Sequence, residues 1–351
     1  MKKTKIAIIV SNFNGASIYY NGACILELCL KKLENTVYRD YKIFVADDSS
    51  TDKSFEFVEN NFPLVEFVVN KPNGGYAQNM NNATQYALKN FKPDYLMLMN
   101  NDILVDDPNW LKKLVKTFAI DKKIGILGCQ LLFPNNTINN AGELEDRGNY
   151  FWNIRGRGEK YEGKYDEIEE IGLVTGAAFL IKSEVFRKIG FLDEIFFMGG
   201  DDTDFILRAK DRGYKIYYNG MVRLTHLDSF TSNRLKDEKL RTITSAYCER
   251  GAVYFLLKWK KRYRITHLLK LYFFMVFGTY LSITDNRTNE RSFRKLHLRF
   301  KLIELNNGLH FPLIKRIFYG ISFEISGVFV YLKYRRTLRR LRYITIAKSR
   351  Q

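Results

Sequence analysis

The sequence predicts an α/β fold in which a parallel sheet is flanked by helices and followed by a basic, α-helical C-terminal extension. In the N-terminal part, short apolar runs alternate with segments of helical spacing, an order typical of parallel strands joined by helical crossovers. The runs are almost continuously apolar, which indicates strands covered on both faces. Polar and acidic residues follow them, where an open α/β sheet presents side chains to a ligand.

Strands and helices are predicted in alternation from the N-terminus. The strands are expected at residues 5–11, 41–47, 65–70 and 95–99. The helices are expected at residues 22–35, 51–60 and 76–90, with Thr51 as the cap of the second helix. Further along the chain, order is expected at the apolar run 176–181, in a helix near Ser183, in a helix after Asp202 and in the strand-like run 214–224. Between these parts, residues 134–172 are rich in Gly, Asn, Arg and aromatic residues, and we interpret them as a long functional loop.

The charge is distributed unevenly along the chain, whose formal net charge is +18. Residues 229–351 carry 27 Lys and Arg against 7 Asp and Glu, whereas residues 1–228 carry 29 against 31. We therefore predict a near-neutral catalytic domain at 1–232 and a basic, aromatic-rich extension at 233–351. Such asymmetry points to a polyanionic partner, which is either an anionic membrane surface or nucleic acid.

The cysteines and the N-terminus indicate a cytoplasmic protein. Cys24, Cys29, Cys129 and Cys248 show no metal-ligand spacing and are expected to be reduced and buried. No signal peptide is visible, because the apolar run from Ile6 to Val10 is too short and is better explained as a strand.

Three predicted strands end in residues that could bind a nucleotide. Asn12 and Asn14 follow the first strand, where they either hold a base or ribose or form a turn. Asp47 and Asp48 end the second strand, and two adjacent acids repel one another unless a ligand or cation lies near. The cluster at 49–52 could equally cap the next helix. After the third strand come Asn73, Gly75 and Asn81, in which glycine permits close approach of a ligand or simply makes a turn.

The fourth strand is followed by Asn100, Asn101 and Asp102, whose oxygens suit a hard cation that would neutralise a leaving diphosphate. His226 follows the strand-like run 214–224, and it has either a metal or diphosphate role or a structural one. Asp201, Asp202 and Asp204 begin a predicted helix, where acids are also favoured by the helix dipole. Asp202 is the candidate general base, because neighbouring acids raise the pKa of a crowded carboxylate.

Taken in order, these motifs resemble the inverting glycosyltransferases of family 2, in particular the rhamnosyltransferase-like branch of bacterial surface polysaccharide synthesis. The resemblance runs over residues 5–232 through VSNFNG, ADDSSTD, NGGYAQNMN, LMNNDILVDDPNWL, GILGCQLL, TGAAFLI, GFLDEIFFMGGDDTDFILRAKDRGY and THLDS. It implies a GT-A fold, which is nucleotide-binding and Rossmann-like, with a mixed but mainly parallel sheet. It also implies transfer of a sugar from a nucleoside-diphosphate sugar to a glycan or lipid-linked acceptor by single displacement.

The resemblance implies a role for each motif. Asp202 would be the catalytic base, and Asp102 and His226 would hold a divalent metal, Mn²⁺ or Mg²⁺. Two departures from the family pattern are that Asn100 replaces the first acid of the usual metal motif and that Asp201 stands where Glu is usual. The acceptor side would include Asp193, Glu194 and Asp201. The nucleotide sugar would be held by Asn12, Asn14, Asp47, Asp48, Asn73, Gly75, Asn81 and Asn101.

The basic extension predicts peripheral attachment to the inner face of the plasma membrane. Residues 265–283 and 312–332 are apolar and aromatic but interrupted by charges, as in interfacial helices flanked by Lys and Arg. Residues 333–350 add eight basic residues and no acid. The same helices could instead pack on the catalytic domain, form an oligomer interface or span the membrane.

Three other functions compete with that of a glycosyltransferase. A nucleic-acid-binding protein is disfavoured, because the aromatic residues of the extension lie in apolar blocks rather than among basic residues. A nucleotidyltransferase would need a basic phosphate loop, and residues 11–24 contain no Lys or Arg. A non-catalytic nucleotide-sugar-binding homologue stays open, as does the donor, which is either dTDP-rhamnose or a UDP-sugar.

Overall fold

The computed structural model of the protein describes residues 4–144, 153–197, 199–227, 254–255 and 258–259. The strands are β1 Ile6–Asn12, β2 Tyr19–Tyr20, β3 Ala23–Cys24, β4 Tyr41–Asp47, β5 Glu66–Val69, β6 Tyr95–Asn100, β7 Ile103–Leu104, β8 Ile124–Leu132, β9 Ile138–Asn140, β10 Glu143–Leu144, β11 Asn153–Ile154, β12 Ile168–Glu170, β13 Ala178–Lys182 and β14 Lys215–His226. The helices are α1 Ile25–Glu34, α2 Ser54–Asn61, α3 Gly75–Asn90, α4 Trp110–Thr117, α5 Ser183–Ile189 and α6 Asp201–Asp211.

One mixed sheet organises the fold, in the order β12-β14-β8-β13-β6-β1-β4-β5, with β7 paired to β14 and β9 paired to β8. The strands β6, β1, β4 and β5 are parallel, as are β8 and β14. Between these two parallel parts, β13 runs antiparallel to both β6 and β8. The predicted α/β fold with a mixed, mainly parallel sheet and flanking helices is confirmed.

The predicted strands and helices of the N-terminal part are also confirmed, with two corrections at helix starts. The chain forms the β2–β3 hairpin before α1, so this helix begins at Ile25 instead of residue 22. Helix α2 begins at Ser54, and Thr51 does not cap it, because the cap position is Lys53, whose side chain makes no capping hydrogen bond. Sequence spacing found the apolar face of α1, where Leu26, Leu30 and Leu33 are buried.

The expectation of a long loop at 134–172 is wrong for the described residues of that region. Strands β9, β10, β11 and β12 lie there, and β9 and β12 extend the main sheet. These strands have two or three residues each, which is too short for a periodic hydrophobic pattern to predict them. Strand β8, with almost every residue buried, was not predicted either.

The chain divides into two compact units. The first is Met1–Glu145, Trp152–Phe197 and Asp201–Arg234, and the second is Asp146–Phe151, Met198–Gly200 and Leu235–Gln351. In the second unit, Phe255 and Trp259 have ring centroids 6.4 Å apart, and the Lys258 ammonium lies 5.5 Å from the Tyr254 ring centroid. The apolar segments 265–283 and 312–332 and the basic run 333–350 lie outside the described residues. The predicted domain boundary near residue 232 stays a prediction.

Candidate functional site

The carboxyl ends of β1, β4 and β6 lie side by side and gather the first polar residues of the candidate site. In the sheet register, Asn12 is paired with Asp47, and Ser11 is paired with Asn100. Asn101 Nδ2 donates to Asn12 Oδ1 at 3.0 Å, so the residues after β6 join the same cluster. These three strand ends therefore meet at one edge of the sheet.

Asp47 is held by hydrogen bonds within the protein. Its Oδ1 accepts from Asn12 Nδ2 at 2.8 Å and from Ser50 Oγ at 2.5 Å, and its Oδ2 accepts from the Ser50 N–H at 2.9 Å. The residue is buried. An ionised carboxylate has about four lone-pair sites, so Asp47 can accept one more hydrogen bond while keeping this fixed orientation.

Asp48 closes the N-terminus of α3. Its two oxygens accept from the N–H groups of Gly74 and Gly75, each at 2.9 Å, and Oδ1 also accepts from Asn70 Nδ2 at 2.7 Å. Burial raises the pKa of this carboxyl group. Asn73 Nδ2 donates to the Asp48 carbonyl at 2.8 Å. Asp48 therefore fixes the turn that precedes α3, with a helix dipole that favours its charge.

Gly75 occupies a position that no other residue fits. Its φ is +80°, and an added Cβ would lie 2.3 Å from the carbonyl oxygen of Phe197. Asn14 also has a positive φ, of 53°, and its Oδ1 accepts from the N–H groups of Thr51 and Asp52 at 2.8 and 3.2 Å. Both residues shape the loops around the strand ends, and their predicted contact with a nucleotide sugar stays a prediction.

A cavity of about 300 Å³ opens beside these loops. It is lined by Asp47, Ser49, Ser50 and Asp52 on one side and by Phe55, Phe67, Val69 and Lys71 on the other. The cavity thus offers apolar and aromatic surface together with a fixed carboxylate and one basic side chain.

Asp102 and His226 approach one another at the other end of the cluster. Strand β14 pairs with β7, which places His226 opposite Ile103, and the Leu227 N–H donates to the Asp102 carbonyl at 3.0 Å. The Asp102 Oδ1 and His226 Nε2 atoms lie 3.3 Å apart. Both atoms are buried, and neither has a hydrogen-bond partner among the described residues.

This pair has the composition of an incomplete metal site. A carboxylate oxygen and an imidazole nitrogen are both ordinary ligands of a divalent cation. No group of three or more His, Cys, Asp and Glu side chains that could hold a metal occurs in the described part of the chain. A cation here would take two ligands from the protein and the remainder from a substrate or water.

Asp202 lies at the start of α6 and contacts the chain just before β13. Its Oδ2 accepts from the Gly176 N–H at 2.8 Å, and its Oδ1 accepts from the Thr203 N–H at 2.7 Å. An added Cβ at Gly176 would lie 2.7 Å from Asp202 Oδ2, so glycine makes this approach possible. One residue further on, the Ala177 carbonyl accepts from the Asn100 N–H at 3.0 Å, which links Asp202 to the strand ends.

Two more ionisable side chains lie near Asp202, and the sequence interpretation did not single them out. Burial raises the pKa of the Tyr76 hydroxyl well above its usual range, and the charges of Asp201 and Asp202 add to this. Tyr76 donates to the Gly176 carbonyl at 3.1 Å. Burial, followed by the charge of Asp202, raises the pKa of Glu143 to about 7.

Glu143 belongs to a short polar segment on β9 and β10. Asn140 Nδ2 donates to Glu143 Oε1 at 3.0 Å, and Asn139 Oδ1 lies 3.3 Å from His226 Nδ1. The only sequence signal for these three residues was the Asn-Asn-Ala-Gly-Glu run, which lies inside the region interpreted as a loop. The segment thus contacts His226 through Asn139, and its Glu143 lies close enough to Asp202 for that charge to raise the pKa of Glu143.

The predicted acceptor residues lie partly apart from the strand ends. Asn81, predicted to bind the nucleotide sugar, instead holds the 192–194 segment, donating to the Leu192 carbonyl and to Glu194 Oε1, each at 2.9 Å. Asp193 Oδ1 accepts from the Ile195 N–H at 3.2 Å. Asp201 is buried beside Asp202. The contact of Asp193, Glu194 and Asp201 with an acceptor stays a prediction.

A mixed α/β sheet with amides and carboxylates gathered at the carboxyl ends of its strands has the architecture of the GT-A fold. Residues 17–190 match the family model described as glycosyl transferase family 2. The chain therefore carries a glycosyl transferase family 2 domain, and the family predicted from the motifs is confirmed.

Comparison with known proteins supports this assignment. The O-antigen biosynthesis protein RfbC of Myxococcus xanthus is 29% identical over 205 residues, which cover 56% of this chain but only 16% of that protein. The mannosyltransferase PcManGT of Pyrobaculum calidifontis, solved with GDP-Man and Mn²⁺, covers 94% of this chain and 87% of its own, with a TM-score of 0.50 and 13% identity. GalNAc-T7, solved with UDP, GalNAc and Mn²⁺, covers 84% and 55%, with a TM-score of 0.56 and 17% identity. At these identities the two structures show the fold.

Proposed function

We propose that the protein is an inverting glycosyltransferase that moves a sugar from a nucleoside-diphosphate sugar to a hydroxyl group of a glycan or lipid-linked acceptor. The observation that carries this proposal is the meeting of three groups at one edge of the sheet: the Asn12–Asp47 cluster, the Asp102–His226 pair and Asp202. They match what the reaction needs, namely a nucleotide-binding group, a cation site for the diphosphate and a base for the acceptor.

The cavity beside Asp47 is the proposed site of the nucleobase and ribose. Its volume of about 300 Å³ is at the lower end of the range for small-molecule sites. Phe55 and Phe67, whose ring centroids are 5.4 Å apart, offer an apolar wall. Asp47 is oriented to accept from a pyrimidine N–H or a ribose hydroxyl, and Lys71 offers a positive charge for the diphosphate.

A divalent cation, Mn²⁺ or Mg²⁺, is proposed to bind between Asp102 and His226. The two buried atoms without hydrogen bonds support this, because a cation would satisfy both at once. Bound there, the cation would neutralise charge on the departing diphosphate, a contribution of several kcal/mol. The fold neighbours solved with Mn²⁺ are consistent with this proposal.

Asp202 is the proposed general base. The Gly176 and Thr203 N–H groups fix the direction of its carboxylate, which is half-buried. Asp202 would accept the proton of the acceptor hydroxyl as that oxygen forms a bond to C1 of the donor sugar. The bond from C1 to the diphosphate oxygen breaks on the opposite face, so the configuration at C1 inverts.

The biological setting follows from the family and its relatives. RfbC is an O-antigen biosynthesis protein by name, and the motifs resemble the rhamnosyltransferase-like branch, so we propose a role in bacterial surface polysaccharide synthesis. The donor would be dTDP-rhamnose or a UDP-sugar. Since the chain spans 16% of RfbC, the role is drawn from the domain and not from the whole relative.

We also propose that the basic extension attaches the enzyme to the cytoplasmic face of the membrane, near a lipid-linked acceptor. The excess of 27 basic over 7 acidic residues in 229–351 supports this. In the part of the chain that the structure describes, no helix combines the length and the apolar character needed to cross a bilayer. Flotation with phosphatidylglycerol vesicles should carry the full chain upward at low salt, and a protein that stays at the bottom would contradict the proposal.

The function itself is tested by a donor screen. Thermal unfolding of the purified chain is measured with a panel of nucleotide sugars in the presence of Mn²⁺, Mg²⁺ or EDTA, since a ligand of the folded state raises the melting temperature. We expect a metal-dependent rise with one thymidine or uridine diphosphate sugar, followed by turnover with a glycan acceptor. A rise without turnover would favour a non-catalytic binding protein, and no rise with any donor would contradict the proposal.

A further inference from the structure

The Asp102–His226 pair is unusual because its two facing atoms lack a hydrogen bond to each other. Two buried polar atoms lie 3.3 Å apart, close enough for a hydrogen bond, yet no such bond links them. The backbone holds both residues in place, through the Leu227 N–H on the Asp102 carbonyl and through the pairing of β14 with β7. The separation is that of two neighbouring ligands on one cation.

The opposite side of the imidazole ring faces Asn139. The Oδ1 atom of Asn139 lies 3.3 Å from His226 Nδ1, and the Asn139 side chain is buried. A carbonyl oxygen accepts and cannot donate, so the proton of a neutral imidazole must be on Nδ1 for this contact to be a hydrogen bond. Nε2 then carries a lone pair that points toward the Asp102 carboxylate.

We infer that Asn139 is a positioning residue that selects the Nδ1–H tautomer of His226 and so leaves Nε2 free to bind a divalent cation together with Asp102. This inference rests on the proposed function, because it names the residue that prepares the proposed metal site. Metal-binding histidines commonly donate their second N–H to an oxygen acceptor, which fixes both tautomer and ring orientation.

The setting of Asn139 supports a role beyond packing. Strand β9 is anchored on β8, with Ile138 paired to Leu132 and Asn140 paired to Leu131. Asn139 Nδ2 is buried and has no hydrogen-bond partner among the described residues. Leaving a buried amide unsatisfied is unfavourable. An asparagine at this buried position is explained if its side-chain oxygen is needed as the acceptor for His226 Nδ1.

The alternative is a plain Asp–His contact, in which Nε2 carries the proton and donates to Asp102. The two arrangements place the proton on different nitrogens, so they can be distinguished without any metal. They also differ in what loss of the Asn139 oxygen does, because only the first needs that oxygen to keep Nε2 unprotonated.

The first experiment reads the tautomer by NMR of the full chain labelled with ¹⁵N-histidine, in EDTA at a pH where imidazole is neutral. The chain has four His, so His226→Gln identifies the signal of interest. We expect a protonated Nδ1 in the parent protein and a shift toward a protonated Nε2 in Asn139→Leu. A protonated Nε2 in the parent protein would overturn the inference.

The second experiment measures Mn²⁺ affinity by electron paramagnetic resonance in the presence of UDP. Asn139→Leu should weaken binding by about 10- to 100-fold, and Asn139→Asp, which keeps an oxygen acceptor, should restore it. Gln130→Leu is the matched control, because Gln130 on β8 is buried and its side-chain amide has no hydrogen bond within the described residues. It should leave Mn²⁺ affinity unchanged.

The outcomes separate this inference from the function on which it rests. If the parent protein binds Mn²⁺ and Asn139→Leu binds it equally well, with a circular dichroism spectrum like that of the parent, the role of Asn139 is refuted and the metal site stands. If the parent protein binds no Mn²⁺ with UDP, the proposed metal site fails and the inference fails with it. Loss of binding in Gln130→Leu as well would show a general packing effect and would also overturn the inference.

Discussion

The two halves of the candidate site differ in how their polar atoms are satisfied. On the nucleotide side, Asp47 and Asp48 together accept six hydrogen bonds from side chains and backbone of the protein. On the metal and acceptor side, Asp102 Oδ1 and His226 Nε2 have no hydrogen bond among the described residues, and burial raises the pKa of Glu143 to about 7. The first half is pre-formed by hydrogen bonds within the protein, whereas the second contains buried polar atoms that the proposed cation would satisfy.

This contrast predicts that substitutions in the two halves have different effects, on folding stability in the first half and mainly on turnover or pH dependence in the second. Removing an acceptor from the pre-formed half leaves buried donors unsatisfied, so the main loss is in folding free energy. The other half already carries unfavourable groups, so neutralising one of them should not strongly destabilise the fold: it lowers turnover or gives a gain in stability that depends on pH. Natural proteins tolerate such unfavourable groups mainly at functional sites.

The largest expected effect is on turnover in Asp202→Asn. The amide keeps the size of the side chain but cannot take the acceptor proton, and loss of a general base lowers kcat by about 10²- to 10⁴-fold. Donor affinity should change little, and the melting temperature should fall modestly, because the amide nitrogen cannot accept one of the two hydrogen bonds from the Gly176 and Thr203 N–H groups. Steady-state kinetics with saturating donor measures the change. Asp211→Asn, an exposed site on the same helix, is the control and should keep full activity.

A near-normal kcat in Asp202→Asn would remove Asp202 from the chemistry. Glu143 would then be the next candidate for the base, since its pKa of about 7 is suited to proton transfer near neutral pH. Such a result would keep the division between the two halves but move the base from α6 to β10.

The next effect tests the pre-formed half through Asp48→Ala. The change removes three hydrogen bonds to Asn70, Gly74 and Gly75 and leaves the start of α3 without its carboxylate. We expect the free energy of unfolding to fall by about 3 kcal/mol. Urea unfolding measures it, and kcat per folded molecule should stay near that of the parent protein.

Glu66→Ala is a matched comparison, because Glu66 is an acid on neighbouring β5 whose ion pair with Lys42 is partly exposed. Such pairs contribute at most about 1 kcal/mol. Equal losses of stability in the two variants, or a loss of kcat in Asp48→Ala with no loss of stability, would contradict the distinction drawn between the two halves.

Glu143→Gln should stabilise the protein in a pH-dependent way. The pKa of Glu143 is raised to about 7 in the folded state, so the folded state holds a proton that the unfolded state releases from about pH 4.5 upward. Stability of the parent protein therefore falls as pH rises from about 4.5 to 7. The glutamine can still accept from Asn140 and does not titrate.

The gain in Glu143→Gln should be near zero at pH 4 and reach at most about 3 kcal/mol above pH 7.5. Urea unfolding at a series of pH values measures it, with Glu162→Gln as an exposed control. A gain that is the same at every pH would show that the pKa of Glu143 is equal in the folded and unfolded states, so that neither burial nor the charge of Asp202 raises it.

The strand ends could be predicted from the sequence and the second half of the site could not, for a physical reason. Buried parallel strands are near-continuous apolar runs, so the strands Ile6–Asn12, Tyr41–Asp47 and Tyr95–Asn100 can be recognised in the sequence. The polar residues at and after their ends can then be located as well. Asn139 and Glu143 lie on strands of three and two residues, too short for any periodicity. The contact of Asn139 with His226 and the effect of the Asp202 charge on Glu143 span 87 and 59 positions, which only the folded chain brings together.

The smallest expected effect concerns Asn14, where sequence reasoning left a choice between nucleotide contact and a turn. Its Oδ1 accepts from the Thr51 and Asp52 N–H groups, and its φ of 53° suits asparagine or glycine. Asn14→Gly should lose about 1 kcal/mol of unfolding free energy, since the backbone conformation survives while the two hydrogen bonds are lost. Asn14→Ala should lose more, because alanine disfavours a positive φ.

Urea unfolding ranks the two variants, and isothermal titration with UDP reports binding. A large loss of UDP affinity in Asn14→Gly, with little loss of stability, would show that Asn14 touches the nucleotide, and the boundary of the pre-formed half would then exclude it.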